Sequence, residues 1–181
     1  MTTNLILALE SCVTQSYSFF VAGKPETQGS KSAFGRAYKD KEGRTRVAVA
    51  MVEQSKGLGA WRASVGRMAV LLRPPGWAMD GAYMLNSIFH MPRPKAHFDK
   101  YGKLKKNAPV LHCKKKDGDK LKRAIGDALT GICYDDDSLI VYGSYLKVYC
   151  DPVIGPGVAI AISRLDQATT EAAVADLLQD A

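Results

Sequence analysis

Two aspartates stand inside the most basic stretch of the chain, KKKDGDKLK at residues 114–122. Asp117 and Asp119 repel each other there, so the pairing indicates either the solvated start of a helix or a site that expects a cation. A second acidic group follows in the stretch YDDDS, which contains Asp135, Asp136 and Asp137. Three adjacent acids are typical of an exposed turn. If the turn and the pair meet in space, they supply the hard oxygen ligands that Mg²⁺ or Mn²⁺ prefers.

The lysines around these acids suggest what the chemistry would be. They would hold a polyanion while a metal ion activates water and stabilises the leaving oxygen, an arrangement suited to phosphodiester hydrolysis. Lys147 stands ten residues after Asp137, so on a regular strand both would face the same way and Lys147 could reach a scissile phosphate. A solvent-facing Lys147 is the alternative. For Asp127, four residues after Arg123, we favour an ion pair between these two residues within one helix.

Helical spacing predicts the elements that position the acidic pair. Apolar residues at steps of three and four predict one helix over residues 58–72 and a second from Asp119 to Ile132, with Gly131 weakening its last turn. Asp119 then stands at the N-cap, where a carboxylate stabilises the first amides by about 1 kcal/mol. Asp117 lies before the helix in an extended segment. Residues i and i+2 of such a segment point to one side, so the two carboxylates can aim at a common point.

Several stretches rich in aromatic and β-branched residues predict strands. They lie at residues 16–25, 81–91, 138–150 and 157–165. Together with the helices they predict an α+β fold, in which a single domain has a mixed β-sheet with packed helices. We expect residues 1–15 to form a loosely attached lead-in, residues 16–166 the main domain and residues 167–181 an acidic C-terminal helix.

The composition of the chain favours a polyanionic partner. Its 181 residues are 46% hydrophobic, which suits one globular domain, and they carry a net charge of +7 at pH 7. Nucleic acid is the first candidate for the partner, and an anionic membrane surface is the second. No stretch approaches the roughly 18 apolar residues of a membrane span, and the first residues lack the features of a secretory signal. We therefore expect a cytoplasmic protein with no membrane partner, whose four cysteines are free thiols.

Two basic segments are candidates for contact with nucleic-acid phosphates. Residues 26–46 are polar and predict a surface loop or hairpin, and residues 92–116 form a long basic connection. A solvated loop without a ligand is the alternative for each segment. The candidate DNA-binding residues, which include two lysines of the second helix, are Lys31, Arg36, Arg93, Lys95, Lys103, Lys105, Lys106, Lys114, Lys115, Lys116, Lys120 and Lys122.

The stretch DGDKLKRAIGDALTGICYDDDS, residues 117–138, resembles the RusA-type Holliday-junction resolvases. That family's signature is D-x-D-N, a lysine four residues after the second aspartate, D-A-L within the helix and D-D before a strand. The resemblance implies a RusA-like nuclease domain over residues 16–166 and a Mg²⁺-dependent homodimer that nicks four-way DNA junctions, with Mn²⁺ as a possible substitute. It also implies that Asp117, Asp119 and Asp137 are catalytic carboxylates that bind the metal, with Asp136 beside them. A bacterial or phage-infected host cytoplasm is then the expected location.

Two positions depart from the family signature. Lys120 stands where the family has asparagine, and Arg123 stands where it has the catalytic lysine. Arg123 keeps the positive charge without the compact ammonium geometry, so Lys120 or Lys122 could also stand in. We expect Arg123 and Lys147 to stabilise the negative charge that develops on the phosphate during cleavage. The alternatives are a DNA-binding protein without activity, whose acids cap a helix and decorate a turn, or a nuclease acting on other branched DNA or RNA.

Overall fold

The computed structural model describes residues 2–29, 31–53 and 57–179. The elements in chain order are α1 (Thr2–Ser11), β1 (Val13–Ala22), β2 (Lys31–Lys39), β3 (Thr45–Glu53), α2 (Leu58–Leu72), β4 (Ala82–Met91), α3 (Gly118–Leu129), β5 (Ile140–Tyr149), β6 (Gly157–Leu165) and α4 (Gln167–Gln179). Short 3₁₀ turns lie at Lys95–His97 and Asp137–Leu139. The predicted α+β class with a mixed sheet and packed helices is confirmed. Among the described helices, none has the length and apolar character needed to cross a membrane.

The main sheet has four strands in the order β1-β6-β4-β5. β4 pairs with β5 in parallel and with β6 antiparallel, so the strand predicted at residues 81–91 lies in the interior of the sheet. A parallel pair needs a crossover between its strands. Residues 92–116 and α3 form that crossover, which carries the chain from the end of β4 to the start of β5. The basic segment and the acidic pair therefore belong to a single connection.

Helices α2 and α3 pack together on one face of the sheet. Trp61 and Val65 of α2 and Leu121 and Ile125 of α3 are buried in one hydrophobic core. Alternate side chains of β4, such as Leu85, complete it. Burying each large apolar side chain contributes about 1.5–3 kcal/mol to folding. The helix predicted at residues 58–72 is confirmed. Its buried residues include Leu58, Trp61, Val65 and Ala69, which recur at steps of three and four, whereas the apolar Leu72 at its end is exposed.

The other face of the sheet carries α1 and α4, which pack on each other. The prediction that residues 1–15 form a loosely attached lead-in is wrong, because the chain forms α1 there and then begins β1. Leu9 and Cys12 are buried in a second cluster with Met84 and Leu165. These partners are remote in sequence, which explains why no local pattern marks α1. The C-terminal helix is present as α4, and the carboxylate of Asp166 accepts a hydrogen bond from the amide of Thr169.

The polar segment at residues 26–46 forms most of a β-hairpin. β2 and β3 make a separate two-stranded antiparallel sheet. In the turn between them, Oδ1 of Asp40 accepts hydrogen bonds from the amides of Glu42 and Arg44 at 3.0 and 2.9 Å. Gly43 supplies the positive φ, +74°, that the turn requires. Of the two predicted possibilities, loop and hairpin, the structure has the hairpin.

Gly143 allows β5 and α3 to approach closely. A Cβ atom added there would stand 2.8 Å from the carbonyl oxygen of Leu85 and 2.7 Å from Cε of Lys122. We expect Gly143→Ala to lower the free energy of unfolding by about 1–3 kcal/mol, because overpacking forces the backbone to shift. Denaturant titration measures this. Gly59→Ala in α2 is the matched control, since a Cβ atom added there meets no other atom within 4 Å. A loss of stability in this variant as large as that in Gly143→Ala would contradict the explanation.

Candidate active site

The acidic pair lies on either side of the first residue of α3. Asp117 is the N-cap residue and Asp119 stands in the first turn, so the helix begins at Gly118 and not at Asp119 as predicted. The two carboxylates do not lie in one extended segment, and the predicted common direction does not apply. The side chain of Asp117 makes no capping hydrogen bond, and its Oδ2 lies 3.2 Å from Nζ of Lys120. Among the described residues, no side chain therefore caps the first amides of α3.

Asp119 and Arg123 lie one helical turn apart on the exposed surface of α3. Within the described part of the chain, neither side chain has a hydrogen bond or an ion pair. The helix dipole favours a negative charge in the first turn, so the position suits an ionised Asp119. Asp127 instead forms an ion pair with Arg62 of α2. The predicted pair between Arg123 and Asp127 is therefore wrong, which leaves the guanidinium of Arg123 available to a ligand.

The start of α3 packs directly on an aromatic ring of β5. A Cβ atom on Gly118 would lie 1.9 Å from Cε2 of Tyr145. The glycine between the two aspartates therefore lets the helix start lie against this ring. Tyr145 was not among the predicted site residues, and neither was Glu26, which contacts the same region from the chain after β1. Neither residue lies near the acidic stretch in sequence, so only the glycine hinted at a close neighbour.

The acidic turn lies at the opposite end of α3. The helix runs antiparallel to β5, with Gly118 against Tyr145 and Gly126 against Ile140. The seven residue-to-residue steps from Asp119 to Gly126 span about 10 Å of helix. The turn follows the last residue of α3. Within a single chain, Asp136 and Asp137 therefore do not lie beside Asp117 and Asp119. The described residues contain no group of three or more His, Cys, Asp or Glu side chains that could hold a metal ion.

Asp136 has a local role in its turn. It is the N-cap of the 3₁₀ turn, where its Oδ1 accepts a hydrogen bond from the amide of Ser138 at 2.9 Å. Hydrogen bonds from the side chain and the amide of Ser138 hold the pKa of Asp136 below its ordinary value. Asp135 and Asp137 are exposed beside it. This arrangement matches the turn chemistry that three adjacent acids suggest.

The predicted metal ligands fit Mg²⁺ only in part. Mg²⁺ is usually held by one or two carboxylates together with water molecules and substrate phosphates. Asp117 and Asp119, both exposed at the start of α3, supply such a pair of carboxylates. Asp136 and Asp137 do not fit the same set within one chain, because the length of α3 lies between them and the pair.

Lys147 and Lys122, which the sequence places near the scissile phosphate, donate hydrogen bonds to backbone carbonyl oxygens of the protein. Nζ of Lys147 donates to the carbonyl oxygens of Lys116 at 2.8 Å and Lys114 at 3.3 Å. Nζ of Lys122 donates to the carbonyl oxygen of Gly143 at 2.9 Å. Both ammonium groups lie close to the start of α3, but hydrogen bonds within the protein already engage them. Their predicted contacts with DNA stay predictions.

The basic segment at residues 92–116 is anchored at both ends. Near its start, Arg93 donates from Nε to the carbonyl oxygen of Cys150 at 2.7 Å and from Nη1 to that of Pro109 at 2.9 Å. At its end, the amide of His112 donates to the carbonyl oxygen of Lys147 at 3.0 Å. Between these anchors, Oδ1 of Asp99 closes a tight turn by accepting from the amides of Tyr101 and Lys103. The segment is a structured loop on the sheet edge where α3 begins.

The other predicted DNA-binding residues divide by whether their charge is engaged. Those whose side chains already contact protein groups are Arg93, Lys105, Lys116, Lys120 and Lys122. Those that are exposed and lack a hydrogen bond or ion pair within the described residues are Arg36, Lys95, Lys103, Lys106, Lys114 and Lys115. Lys31 opens β2, and its side chain lies outside the described ones. The free cations lie mainly on the basic segment and so concentrate positive potential near the start of α3.

His112 makes the anchor of this segment sensitive to pH. Its ring is only 8% exposed and packs on Tyr149 at 4.8 Å, and its Nδ1 has no hydrogen-bond partner within the described residues. Burial, and second the charge of Lys147, lower the pKa of His112 from its ordinary 6.5. As the pH falls, the unfolded chain therefore takes up a proton on this histidine before the folded chain does. This histidine does not lower the free energy of unfolding above pH 6.5, but it lowers it increasingly as the pH drops through the lowered folded-state pKa.

We therefore expect the unfolding free energy to fall on acidification below about pH 6.5, and His112→Phe to flatten this part of the profile. Denaturant titrations from about pH 8 to about pH 5 measure the effect. His90→Gln controls for the loss of a histidine elsewhere. An unchanged slope in His112→Phe would contradict the assignment.

The fold and the charges around the start of α3 indicate a protein that acts on a polyanion. A basic α+β domain with an uncapped, acidic helix start beside free cations is suited to process a polyanion. The family model described as Endodeoxyribonuclease RusA matches residues 33–163, more than half of the chain. The chain therefore belongs to the RusA family of Holliday-junction resolving endodeoxyribonucleases, and the resemblance predicted from residues 117–138 is confirmed. No curated protein matches the chain.

Proposed function

We propose that this protein is a Mg²⁺-dependent endonuclease that resolves four-way DNA junctions by paired phosphodiester hydrolysis in recombination and repair. The observation that carries the proposal is the exposed Asp119 in the first turn of α3, one turn from Arg123, whose side chain has no ion pair or hydrogen bond among the described residues. Family membership gives the reaction class, and this pair offers a carboxylate and a guanidinium on one surface. The proposed setting is the cytoplasm of a bacterium or of a phage-infected host.

Asp117 and Asp119 would hold the metal ion in this proposal, with Mn²⁺ as a substitute for Mg²⁺. When bound, the ion supplies a polarised phosphodiester and a more acidic water. The carboxylate of Asp119 accepts a hydrogen bond from the attacking water and orients it. Arg123 donates its N–H groups to the phosphate oxygens, where the negative charge develops. The free lysines of the basic segment hold the DNA backbone on either side.

Paired nicking requires two active sites on one junction, so we propose that the protein works as a homodimer. A supercoiled plasmid with an extruded cruciform tests both points. Two nicks made in one binding event convert the plasmid to a linear product, whereas independent single nicks give open circles. We expect the linear product at low enzyme concentration, together with a dimeric mass in light scattering. A monomer that yields open circles alone would contradict the paired mechanism.

A DNA-binding protein without catalytic activity is the second candidate. The separation of Asp136 and Asp137 from the acidic pair favours it, because within one chain Asp136 serves as the N-cap of a turn and Asp137 is exposed beside it. This candidate predicts tight junction binding that no divalent metal converts into cleavage. A nuclease acting on other branched DNA or on RNA would cut those substrates as fast as the four-way junction.

A further inference from the structure

The residue immediately before the acidic pair has an unusual backbone conformation. Among the described residues other than glycine, only Lys116 has a positive φ, at +85°. A side chain with a Cβ atom disfavours this left-handed region, so such a residue persists only where its surroundings hold it there. Lys116 sets the direction in which the chain enters Asp117 and α3. Its conformation therefore bears directly on where the carboxylates stand.

Two separate elements hold Lys116 in place. From β5, Nζ of Lys147 donates to the carbonyl oxygen of Lys116 at 2.8 Å. From the chain after β1, Glu26 and Pro25 accept hydrogen bonds from Nζ of Lys116, with Oε2 of Glu26 at 2.8 Å. The backbone carbonyl of Lys116 is thus bound by one part of the chain and its side chain by another. We call the contacts of Lys147, Lys116 and Glu26 the approach clamp.

We propose that Lys147 and Glu26 are positioning residues for the active site, which they serve by holding Lys116 in its left-handed conformation. This inference rests on the proposed function. The helix itself has other anchors, since Leu121 and Ile125 of α3 are fully buried. Loss of the clamp would therefore move Asp117 and the first turn without unfolding the domain. Lys147 acts on the reaction through Asp117 and Asp119, and not by touching the phosphate.

Lys147→Met separates positioning from phosphate contact, because it keeps an unbranched side chain and removes only the donor. We expect the turnover rate on a four-way junction to fall by about 10²-fold, as a misplaced reacting group would cause. The dissociation constant and its salt dependence should remain those of the wild type. A direct phosphate contact predicts the opposite, a weaker complex whose salt slope is smaller by about 0.9.

A second substitution tests the mechanism of the loss. Glycine adopts positive φ without a steric penalty, so Lys116→Gly added to Lys147→Met should restore the turnover rate at least about tenfold. Cys113→Gly added to Lys147→Met is the control. Cys113 is exposed in the same segment, close to Lys116 in sequence, but it has no positive φ. Equal rescue by both glycines, or by neither, would overturn the inference.

The conformational claim has a readout that does not depend on cleavage. NMR coupling constants report the φ angle of residue 116 in the free protein. We expect a positive φ in the wild type and a negative φ in Lys147→Met. A positive φ in both would overturn the clamp even if the wild type cuts junctions. Conversely, a wild-type protein that binds junctions without cutting them would contradict the proposed function. The coupling constants would still show whether the approach clamp holds Lys116 at positive φ.

Discussion

Asp119→Asn should abolish cleavage of four-way junctions while leaving the fold and junction binding intact. Asparagine matches the volume of aspartate, and Asp119 is exposed without a hydrogen bond or ion pair among the described residues, so its loss removes no packing. Stability should change only by the helix-dipole contribution, about 0.3–1 kcal/mol. We expect the cleavage rate to fall by at least about 10²–10³-fold, because the carboxylate that orients the water and the metal is lost.

Single-turnover cleavage of a labelled junction, with binding measured in parallel by gel shift, tests this prediction. Asp176→Asn is the matched control, because Asp176 is also exposed but lies on α4, on the other face of the sheet. The control should cut at the wild-type rate. Cleavage by Asp119→Asn within about threefold of the wild type would mean that the acidic pair only serves the start of the helix.

The second large effect should come from the basic segment. Lys100 and Lys103 are exposed on its tight turn, and Lys106 is exposed just after it. Replacing all three by alanine should weaken junction binding strongly. Removing one lysine–phosphate interaction lowers the slope of log K against log salt by about 0.9, which corresponds to roughly tenfold in affinity near 0.1 M salt. The turn itself should persist, because Asp99 and the hydrogen bond from Lys105 to Ala96 remain.

A salt titration of junction affinity measures this effect. The same three positions changed to arginine form the control, since arginine keeps the charge and should keep the salt slope. The rate of cleavage at saturating enzyme should be nearly unchanged in both variants. An alanine variant with the wild-type salt slope would show that the segment is a solvated loop and that phosphate contact lies elsewhere.

Local sequence patterns predicted those helices and strands whose own residues show which side is buried. The helix at residues 58–72 was predicted because its apolar residues recur at steps of three and four. The interior strand at residues 81–91 was predicted from its content of aromatic and β-branched residues. Gly131 indeed follows the end of α3, with φ at +73°. Helix α1 could not be predicted in the same way. Leu9 and Cys12 are buried by residues that lie far away in the sequence.

The residue types of the candidate site were predictable, but their geometry was not. Aspartate is a good N-cap residue, so the sequence could not decide whether Asp117 or Asp119 begins the helix. The spacing of Arg123 and Asp127 suggested a pair, although Arg62 on the neighbouring helix is the partner of Asp127. The approach clamp joins β5 to a loop after β1, and no local spacing encodes a hydrogen bond from a lysine to a remote carbonyl.

The most direct test of the proposed function uses a synthetic four-way junction, a matched linear duplex and a single strand of the same sequence. Each substrate is incubated with the purified protein in Mg²⁺, in Mn²⁺ and in EDTA, and the products are mapped on a denaturing gel. We predict symmetric nicks in opposing strands of the junction alone, dependent on the metal. Tight binding of the junction without cleavage in either metal would contradict the account and place the protein among DNA-binding proteins without activity.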